Sequence, residues 1–241
     1  MSKTRLYINS QISPDLLINI KNKQHHYLKN VMRIKINDTI RIFDGVTGEW
    51  LSIVLSVNKN NTILRVFEKT KKMIKGFDLW LIFSPIKKYR INIIIQKATE
   101  LGVTKIIPCL TDYSNIRSIN INNLQLNAIE AAEQSERLDV PKIEKPIQLN
   151  ALLKSWPKNR NLIFCDEKLD KKQSFVKSLI LLKNDKKKWA VIVGPEGGFS
   201  VTEKKLISRS KNVVSVSLGR RLLRSDTAIT VALFCAQELL S

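Results

Sequence analysis

The sequence predicts an α/β protein in which a small N-terminal β-barrel precedes a larger domain built on a parallel sheet. Up to about residue 72, short segments rich in β-branched and aromatic residues alternate with turn signals such as Asp44-Gly45, a pattern typical of a small barrel. From residue 79, apolar strands alternate with helices, which indicates a parallel sheet covered on both faces. The basic stretch KTKKMIKG (69–76) separates the two patterns. We therefore expect domains at residues 1–72 and 73–241.

The N-terminal part contains four segments with the composition of strands. They are RLYINS (5–10), NDTIRIFDG (37–45), EWLSIVLSVN (49–58) and TILRVFEK (62–69). Only KNKQHHYLKNVMR (21–33) has a helical pattern in this part of the chain. Several short strands joined by tight turns, with a single helix, favour a barrel.

The C-terminal part alternates between the two kinds of element. Strands are expected at LWLIFSP (79–85), KIIPCL (105–110), LIFCDE (162–167), WAVIVG (189–194) and VVSVSLG (213–219). Helices are expected at KYRINIIIQKATELG (88–102), NNLQLNAIEAAEQSERL (122–138), QSFVKSLILLK (173–183), from residue 201, and at DTAITVALFCAQELL (226–240). The first of these helices ends at Gly102, since glycine suits the C-cap. In such a sheet, ligands bind at the carboxyl ends of the strands.

The charge of the chain is strongly positive. Forty-one lysine and arginine residues against 21 aspartate and glutamate residues give a formal net charge of +20. Such a surface attracts polyanions, and nucleic acid is the natural partner. The chain is also rich in lysine, asparagine and isoleucine, and a general drift in composition would raise the charge too. The charge therefore favours an RNA or DNA partner without identifying it.

Membrane insertion and metal binding both lack a signal in the sequence. The N-terminal MSKTRLYINSQIS has no apolar stretch of the signal-peptide kind, and runs such as INIII (91–95) are far too short to span a bilayer. We therefore expect a cytoplasmic protein with no membrane partner. Cys109, Cys165 and Cys235 lack metal-ligand spacing, so no metal is expected. They are interpreted as buried structural thiols, with a catalytic cysteine as the alternative.

A glycine loop follows one predicted strand in IVGPEGGFSVTE (192–203). It is neither a Walker loop, because no Lys-Ser/Thr pair ends it, nor a GxGxxG fingerprint. Ser200 and Glu203 have the spacing of a capping box, so a helix is expected to begin there. Glu196 at the tip disfavours a phosphate and tolerates a ligand with a positive centre. The loop thus predicts either a plain strand-to-helix turn or a site for a nucleoside that carries a cation.

A second loop, LGRRLLRSDTAIT (218–230), places three arginines close to the start of the last helix. Ser225 or Asp226 could simply be the N-cap. That interpretation leaves the arginines unexplained, because the helix macrodipole disfavours positive charge at an N-terminus. An external anion would explain them, with Arg224 as the preferred functional residue. A third loop contains Asp166 and Glu167, interpreted as a solvated acidic loop rather than as catalytic groups.

With both loops in view, the sequence resembles the SPOUT methyltransferases, specifically the RsmE family. IVGPEGGFSVTE together with LGRRLLRSDTA is similar to the paired C-terminal signature of that family. QKATELGVTKIIPC (96–109) and EAAEQSERLDVP (130–141) match its middle motifs in order and spacing. HHYLKNVMRIKINDTIRIFDG (25–45) resembles its PUA-like N-terminal barrel. The resemblance covers nearly the whole chain.

The resemblance implies a trefoil-knotted SPOUT domain, a homodimer and an RNA substrate. Enzymes of this family transfer a methyl group from S-adenosylmethionine to N3 of one uridine in the decoding region of 16S ribosomal RNA. The cofactor would lie between two walls, with further contacts at the helix start; the implied residues are Gly194, Glu196, Gly197, Gly198, Leu218, Gly219, Leu223, Arg224, Thr227 and Ala228. The chain departs from the pattern at Asp226, where some members have glutamate, and at Arg220, where many have proline.

The implied reaction needs the N3 proton of uracil to be lost and the base to be held in line with the methyl group. Arginine stays protonated, so it stabilises negative charge on O2 or O4 rather than acting as a base. We therefore expect Arg224 to orient the substrate, and Asp226 or Glu196 to accept the proton.

RNA affinity is expected from the barrel, with Arg5 and Arg33 as its leading cations and Lys29, Lys35 and Arg41 as further ones. Arg220 and Arg221 are expected to contact phosphates of the 16S ribosomal RNA in the small subunit. Most surface lysines are solvated, so only some of these cations should touch RNA.

Three other functions are compatible with parts of the sequence. A ribose 2′-O methyltransferase of the same superfamily is the nearest, and the N-terminal barrel and the EAAEQS segment argue against it. A non-catalytic ribosome-assembly factor would keep the fold and the basic surface, but it would not need the glycine loop and Arg224. A dinucleotide-dependent dehydrogenase is remote, because no GxGxxG follows any strand.

Overall fold

The computed structural model describes residues 4–86, 88–114, 118–166, 174–180, 182 and 188–241. Glu167 of the predicted acidic loop, and both ends of the helix predicted at 173–183, lie outside these residues. The chain forms two compact units. The first consists of the residues up to Lys75 together with Ala132–Val140, and the second of Gly76–Ala131 together with Pro141–Ser241.

The first unit is a curled five-stranded sheet with strand order β1-β3-β4-β5-β2. Its elements are β1 (Arg5–Tyr7), β2 (Leu17–Lys21), α1 (Asn22–His26) with a π-helical turn (Tyr27–Val31), β3 (Thr39–Phe43), β4 (Gly48–Val57) and β5 (Asn61–Lys72). The parallel pair β1–β3 lies at one end, and the other pairs are antiparallel. The barrel-type N-terminal domain expected from the sequence is confirmed.

Alternation along the strands explains the core of this unit. In β5, Thr62, Leu64 and Val66 are buried while the residues between them are not. Isoleucines of β3 and Leu28 of the π-helical turn pack onto the same side of the sheet. This period of two is the signature of a sheet with one buried face.

A buried ion pair joins the segment Ala132–Val140 to the strands of the first unit. Nε of Arg5 lies 2.7 Å from Oε2 of Glu49, and both side chains are at most 2% exposed. The Arg5 guanidinium also donates to the carbonyl oxygens of Ala132 and Arg137, both at 2.7 Å. Burial and these hydrogen bonds disfavour the RNA contact predicted for Arg5, which stays a prediction.

The second unit is a seven-stranded sheet with the order β12-β10-β11-β6-β7-β8, in which β9 also pairs with β7. Its strands are β6 (Leu79–Phe83), β7 (Lys105–Leu110), β8 (Lys142–Ile143), β9 (Ile147–Gln148), β10 (Arg160–Cys165), β11 (Lys188–Val193) and β12 (Val213–Val216). Its helices are α2 (Lys88–Glu100), α3 (Ile121–Gln134), α4 (Leu149–Lys154), α5 (Phe175–Ile180), α6 (Val201–Arg209) and α7 (Ser225–Leu240). Every strand pair is parallel, which confirms the predicted sheet.

The strand order places the predicted loops together. β10 pairs with β11 on one side and with β12 on the other. Since parallel strands end at the same edge of a sheet, the loops after these three strands must be neighbours.

None of the described helices combines the length and the apolar character that a bilayer crossing requires.

Candidate active site

A cleft of about 560 Å³ lies at the carboxyl ends of β10, β11 and β12. Its volume falls in the usual range for small-molecule sites. Eleven of the predicted residues line it, namely Gly194, Glu196, Gly197, Gly198, Leu218, Gly219, Arg220, Arg221, Leu223, Arg224 and Ala228. The two loops singled out in the sequence therefore form one site.

The glycine loop forms one wall of the cleft, and its backbone packs tightly against the side chains behind it. A Cβ atom at Gly194 would lie 2.8 Å from Cε2 of Phe199, a buried ring that packs edge-on against Phe164. Only glycine fits there. At the end of the loop, Ser200 and Glu203 form the expected capping box, so α6 begins where predicted. The loop is thus a rigid backbone surface facing the cleft.

The arginine-rich loop forms the other wall. Gly219 has φ +116°, a conformation that favours glycine. Arg224, in the extended conformation, occupies the N-cap position of α7 and is exposed, and its carbonyl oxygen accepts a 2.8 Å hydrogen bond from N–H of Ala228. The backbone of Arg224 is therefore anchored at the cleft, and its side chain is exposed.

The N-cap residue of α7 is Arg224, which makes no side-chain capping hydrogen bond, so neither Ser225 nor Asp226 is the N-cap that the sequence offered as an alternative. The Ser225 hydroxyl instead donates to the carbonyl oxygen of Gly194 at 3.0 Å. Oδ1 of Asp226 accepts from N–H of Thr227 at 3.1 Å. Asp226 and Thr227 are not among the residues that line the cleft, so the direct cofactor contact predicted for Thr227 has no support from the geometry.

Two carboxylates of the cleft are paired with cations on other elements. Glu196 Oε1 accepts from Nη1 of Arg90 at 3.0 Å, and Arg90 also interacts electrostatically with Asp226. Asp166 Oδ1 accepts from Nζ of Lys204 at 2.6 Å, so the acidic loop is part of the cleft and not only solvated. The sequence had pointed to both carboxylates but to neither cationic partner, because the partners lie on other elements.

The environment of the cysteines favours a structural role over nucleophilic catalysis. Burial raises the pKa of the Cys109 thiol to about 12 and raises that of the Cys165 thiol as well. Cys165 lines the cleft, but its burial disfavours the thiolate that nucleophilic attack requires. Within the described part of the chain, no three His, Cys, Asp or Glu residues converge to hold a metal ion.

Sequence reasoning missed several residues of the cleft wall. They are Cys165, Val193, Pro195, Ser217 and Leu222, which join the predicted set. Each of them lies within a predicted loop or directly beside one, so its position after a strand was the available signal. Of the RNA contacts predicted outside the cleft, Arg33 is exposed with φ +52° in the first unit, and its role stays a prediction.

Comparisons with known proteins agree with this architecture. Residues 74–237 match the model of an RNA methyltransferase domain, and residues 20–67 match that of an RNA methyltransferase PUA domain. The ribosomal RNA small subunit methyltransferase E of Rickettsia conorii is 40% identical over 97% of this chain and 94% of its own length. The enzyme of that name from Buchnera aphidicola of Schizaphis graminum is 29% identical over 97% of this chain and 95% of its own.

Solved structures share the fold over the whole length. A protein of Legionella pneumophila in complex with SAM has a TM-score of 0.87 at 23% identity and covers 99% of this chain and 98% of its own. The ribosomal RNA small subunit methyltransferase E of Neisseria gonorrhoeae, bound to S-adenosylmethionine, has a TM-score of 0.83 at 24% identity, covering 98% and 97%. The resemblance seen in the sequence is thereby confirmed, and this chain belongs to the ribosomal RNA small subunit methyltransferase E family of RNA methyltransferases.

Proposed function

We propose that this chain transfers a methyl group from S-adenosylmethionine to N3 of a uridine in the decoding region of 16S ribosomal RNA. The single observation that carries the proposal is the cleft in which the glycine loop and the arginine-rich loop meet, in a chain of this family. Residues 73–241 would form the catalytic domain, with a trefoil knot, and residues 1–72 the RNA-binding domain.

The cleft suits the cofactor in chemistry and size. Its glycine wall offers backbone groups at close range and contains the carboxylate of Glu196, which tolerates a sulfonium and disfavours a phosphate. Gly194, Gly197, Gly198, Leu218, Gly219, Leu223 and Ala228 would hold the adenosine and methionine parts. When bound, S-adenosylmethionine supplies the electrophilic methyl group.

Arg224 would orient the uracil and stabilise the charge that forms on O2 or O4 when the N3 proton leaves. Its exposed side chain on an anchored backbone matches that role. Asp226 or Glu196 would accept the N3 proton. Glu196 lines the cleft and is hydrogen-bonded to Arg90, whereas Asp226 follows Arg224 closely in the chain but is not among the residues that line the cleft.

RNA binding would combine the cleft rim with the first unit. Arg220 and Arg221 are exposed at the rim and would contact phosphates. Arg33 would contribute from the first unit. The net charge of +20 supports a polyanionic partner over a neutral one.

The same domain has a surface suited to the homodimer that we propose. Helices α2 and α7 pack against each other, and each exposes large apolar side chains. They are Tyr89 and Ile93 on α2, and Val231 and Phe234 on α7. Aromatic and aliphatic residues clustered on two adjacent helices are typical of a subunit interface. We expect the protein to act in the cytoplasm, where ribosomal RNA is modified.

The proposal is tested by incubating the protein with labelled S-adenosylmethionine and small ribosomal subunits from cells that lack the modification. The methylated nucleoside is then identified by mass spectrometry. We expect N3-methyluridine in the decoding region. A 2′-O-methyl nucleoside would assign the chain to ribose methylation instead, and absence of transfer to both free rRNA and subunits would favour an assembly factor.

A further inference from the structure

Tyr113 is an exposed aromatic residue beside the glycine loop to which no role has been assigned so far. It lies in the turn after β7, and 51% of the residue is exposed. Its hydroxyl makes no hydrogen bond with any of the described residues. An exposed aromatic ring beside the glycine loop is available for a ligand.

The turn that carries Tyr113 is fixed on both sides of the ring. N–H of Asp112 donates to Oε1 of Glu203 at 2.9 Å, and the Ser200 hydroxyl donates to Oδ2 of Asp112 at 2.6 Å. On the other side, the Ser114 hydroxyl accepts from N–H of Thr111 at 2.8 Å. The capping box of α6 thus also clamps this turn, so the position of the ring is set by the fold rather than by chance.

The clamp brings Tyr113 into contact with the wall of the cleft. A Cβ atom at Gly197 would lie 3.3 Å from Cβ of Tyr113 and 3.5 Å from its Cγ. Gly197 itself lines the cleft. Cβ of Tyr113 therefore lies directly behind Gly197, a residue that lines the cofactor site that we propose.

An exposed aromatic ring could bind the base that is methylated by stacking on it. A base that is presented for methylation must leave its stack, and RNA-binding proteins compensate by stacking such bases on aromatic side chains. Among the described residues, none of those that line the cleft is aromatic, whereas Tyr113 is an exposed aromatic residue in contact with the cleft wall. We infer that Tyr113 stacks an unpaired nucleobase of the RNA substrate, at or next to the methylated nucleotide.

The charge of the surroundings favours RNA over a protein as the occupant. Arg220, Arg221 and Arg224 are exposed along the same cleft, and a phosphate backbone neutralises such a group of cations. Stacking alone would not select RNA, but an aromatic ring against the glycine wall and cations on the other wall would bind both parts of a nucleotide. The inference rests on the proposed function, since the base must be brought to the cofactor.

The test compares Tyr113→Ala with Tyr113→Phe in the full-length protein. Michaelis constants are measured for small subunits that lack the modification, and the affinity for S-adenosylmethionine is measured by calorimetry. We expect Tyr113→Ala to raise KM for the subunits roughly tenfold, a typical loss for one base–aromatic stack. Tyr113→Phe keeps the ring and should match the wild type, and cofactor affinity should stay within about twofold in both variants.

Three results would overturn the inference. An unchanged KM in Tyr113→Ala would show that the ring does not contact RNA. A parallel loss of cofactor affinity would show that Tyr113 only supports the loop. Equal defects in Tyr113→Ala and Tyr113→Phe would assign the effect to the hydroxyl.

A second measurement separates this inference from the proposed function. RNA of the decoding region that contains 4-thiouridine is irradiated with the protein, and the cross-linked peptide is identified. A cross-link at Tyr113 is expected even if the wild type transfers no methyl group, in which case only the proposed function fails. Cross-links confined to other residues would overturn the inference whether or not the enzyme turns over.

Discussion

The Ser225 hydroxyl donates a 3.0 Å hydrogen bond to the carbonyl oxygen of Gly194 and thereby ties the first turn of α7 to the glycine loop. The two loops are 31 residues apart in the chain, and each carries one wall of the cleft. Because Ser225 is buried, water cannot easily replace this bond. This bond therefore helps to fix the spacing of the two walls.

Replacing Ser225 with alanine should loosen the cleft without unfolding the protein. Loss of one hydrogen bond with a buried acceptor left behind costs about 1–2 kcal/mol, and cofactor affinity should fall several-fold because the walls are no longer held together. Urea denaturation and calorimetry with S-adenosylmethionine measure the two effects. Ser208→Ala is the control, since Ser208 also bonds a carbonyl oxygen but is exposed on α6. Equal behaviour of the two variants would contradict the prediction.

Gly194→Ala should damage the same wall by overpacking. The added methyl group would lie 2.8 Å from the Phe199 ring, which cannot yield because it packs on Phe164 at a centroid distance of 5.3 Å. We expect a loss of stability of about 1–3 kcal/mol and weaker cofactor binding. In contrast, Gly76→Ala introduces a methyl group with no atom within 4 Å, so it should leave both unchanged. Wild-type stability and binding in Gly194→Ala would mean that the loop moves freely.

The elements with strong local patterns were predictable from the sequence. KIIPCL was expected at 105–110, and β7 has those bounds. The capping box of α6 was expected from the spacing of Ser200 and Glu203 and is present. In both cases the signal is local, because a buried run or a pair three residues apart is sufficient to specify the structure.

Elements that depend on distant partners were not predictable. β2 has an alternating burial pattern, but its five residues adjoin a helix and were not recognised as a strand. β8 and β9 have two residues each and exist only through pairing with β7. Nothing local in the sequence assigns Ala132–Val140 to the first unit, because its hydrogen-bond partners there, such as Arg5 and Arg41, are 95 or more residues away in the chain.

Arg5 shows why the candidate site was harder to predict than the fold. In the sequence it looks like any other cation of a basic chain, and Glu49, its partner, is 44 residues away. The glycine loop and Arg224 were identifiable because their residue types are unusual for their positions. A cation on a basic chain has no such distinction, so burial alone separates Arg5 from Arg33.

Glu49→Gln should destabilise the first unit strongly. The substitution keeps the shape but leaves the Arg5 charge buried without its counter-ion, which costs about 3 kcal/mol or more. Urea denaturation monitored by tryptophan fluorescence provides the measurement, since Trp50 adjoins Glu49 in β4. Glu68→Gln changes an exposed carboxylate of β5 and should be nearly neutral. If the two variants are equally stable, the buried pair contributes nothing.

The stability of the first unit should depend on pH through Glu136. Hydrogen bonds from Arg41 and Lys71 lower the pKa of this carboxyl from an ordinary 4.5 to about 2. A depressed folded-state pKa means that the contribution is complete above the unfolded-state value and is lost as the pH falls from about 4.5 towards 2. The effect should be modest because Glu136 is half exposed.

Glu136→Gln tests this dependence. The variant should be slightly less stable than the wild type at neutral pH, and the difference in Tm should shrink as the pH approaches 2. Thermal unfolding between pH 2 and 7 gives the comparison. A difference in Tm that is constant over this range would assign the effect to packing rather than to the charge of the carboxylate.

Arg224→Ala should separate catalysis from cofactor binding. The side chain is exposed at the cleft while the backbone is anchored by the bond from Ala228, so its removal leaves the walls in place. If Arg224 stabilises charge on the uracil, kcat should fall by about 10²–10³, whereas the affinity for S-adenosylmethionine should hardly change. Arg224→Lys keeps the charge without the planar fork and should retain intermediate activity. Arg209→Ala, an exposed arginine at the end of α6, is the control with full activity. An equal loss of turnover and of cofactor affinity in Arg224→Ala would instead make Arg224 a cofactor-binding residue, because a group that acts only on the uracil cannot weaken binding to the enzyme before RNA arrives.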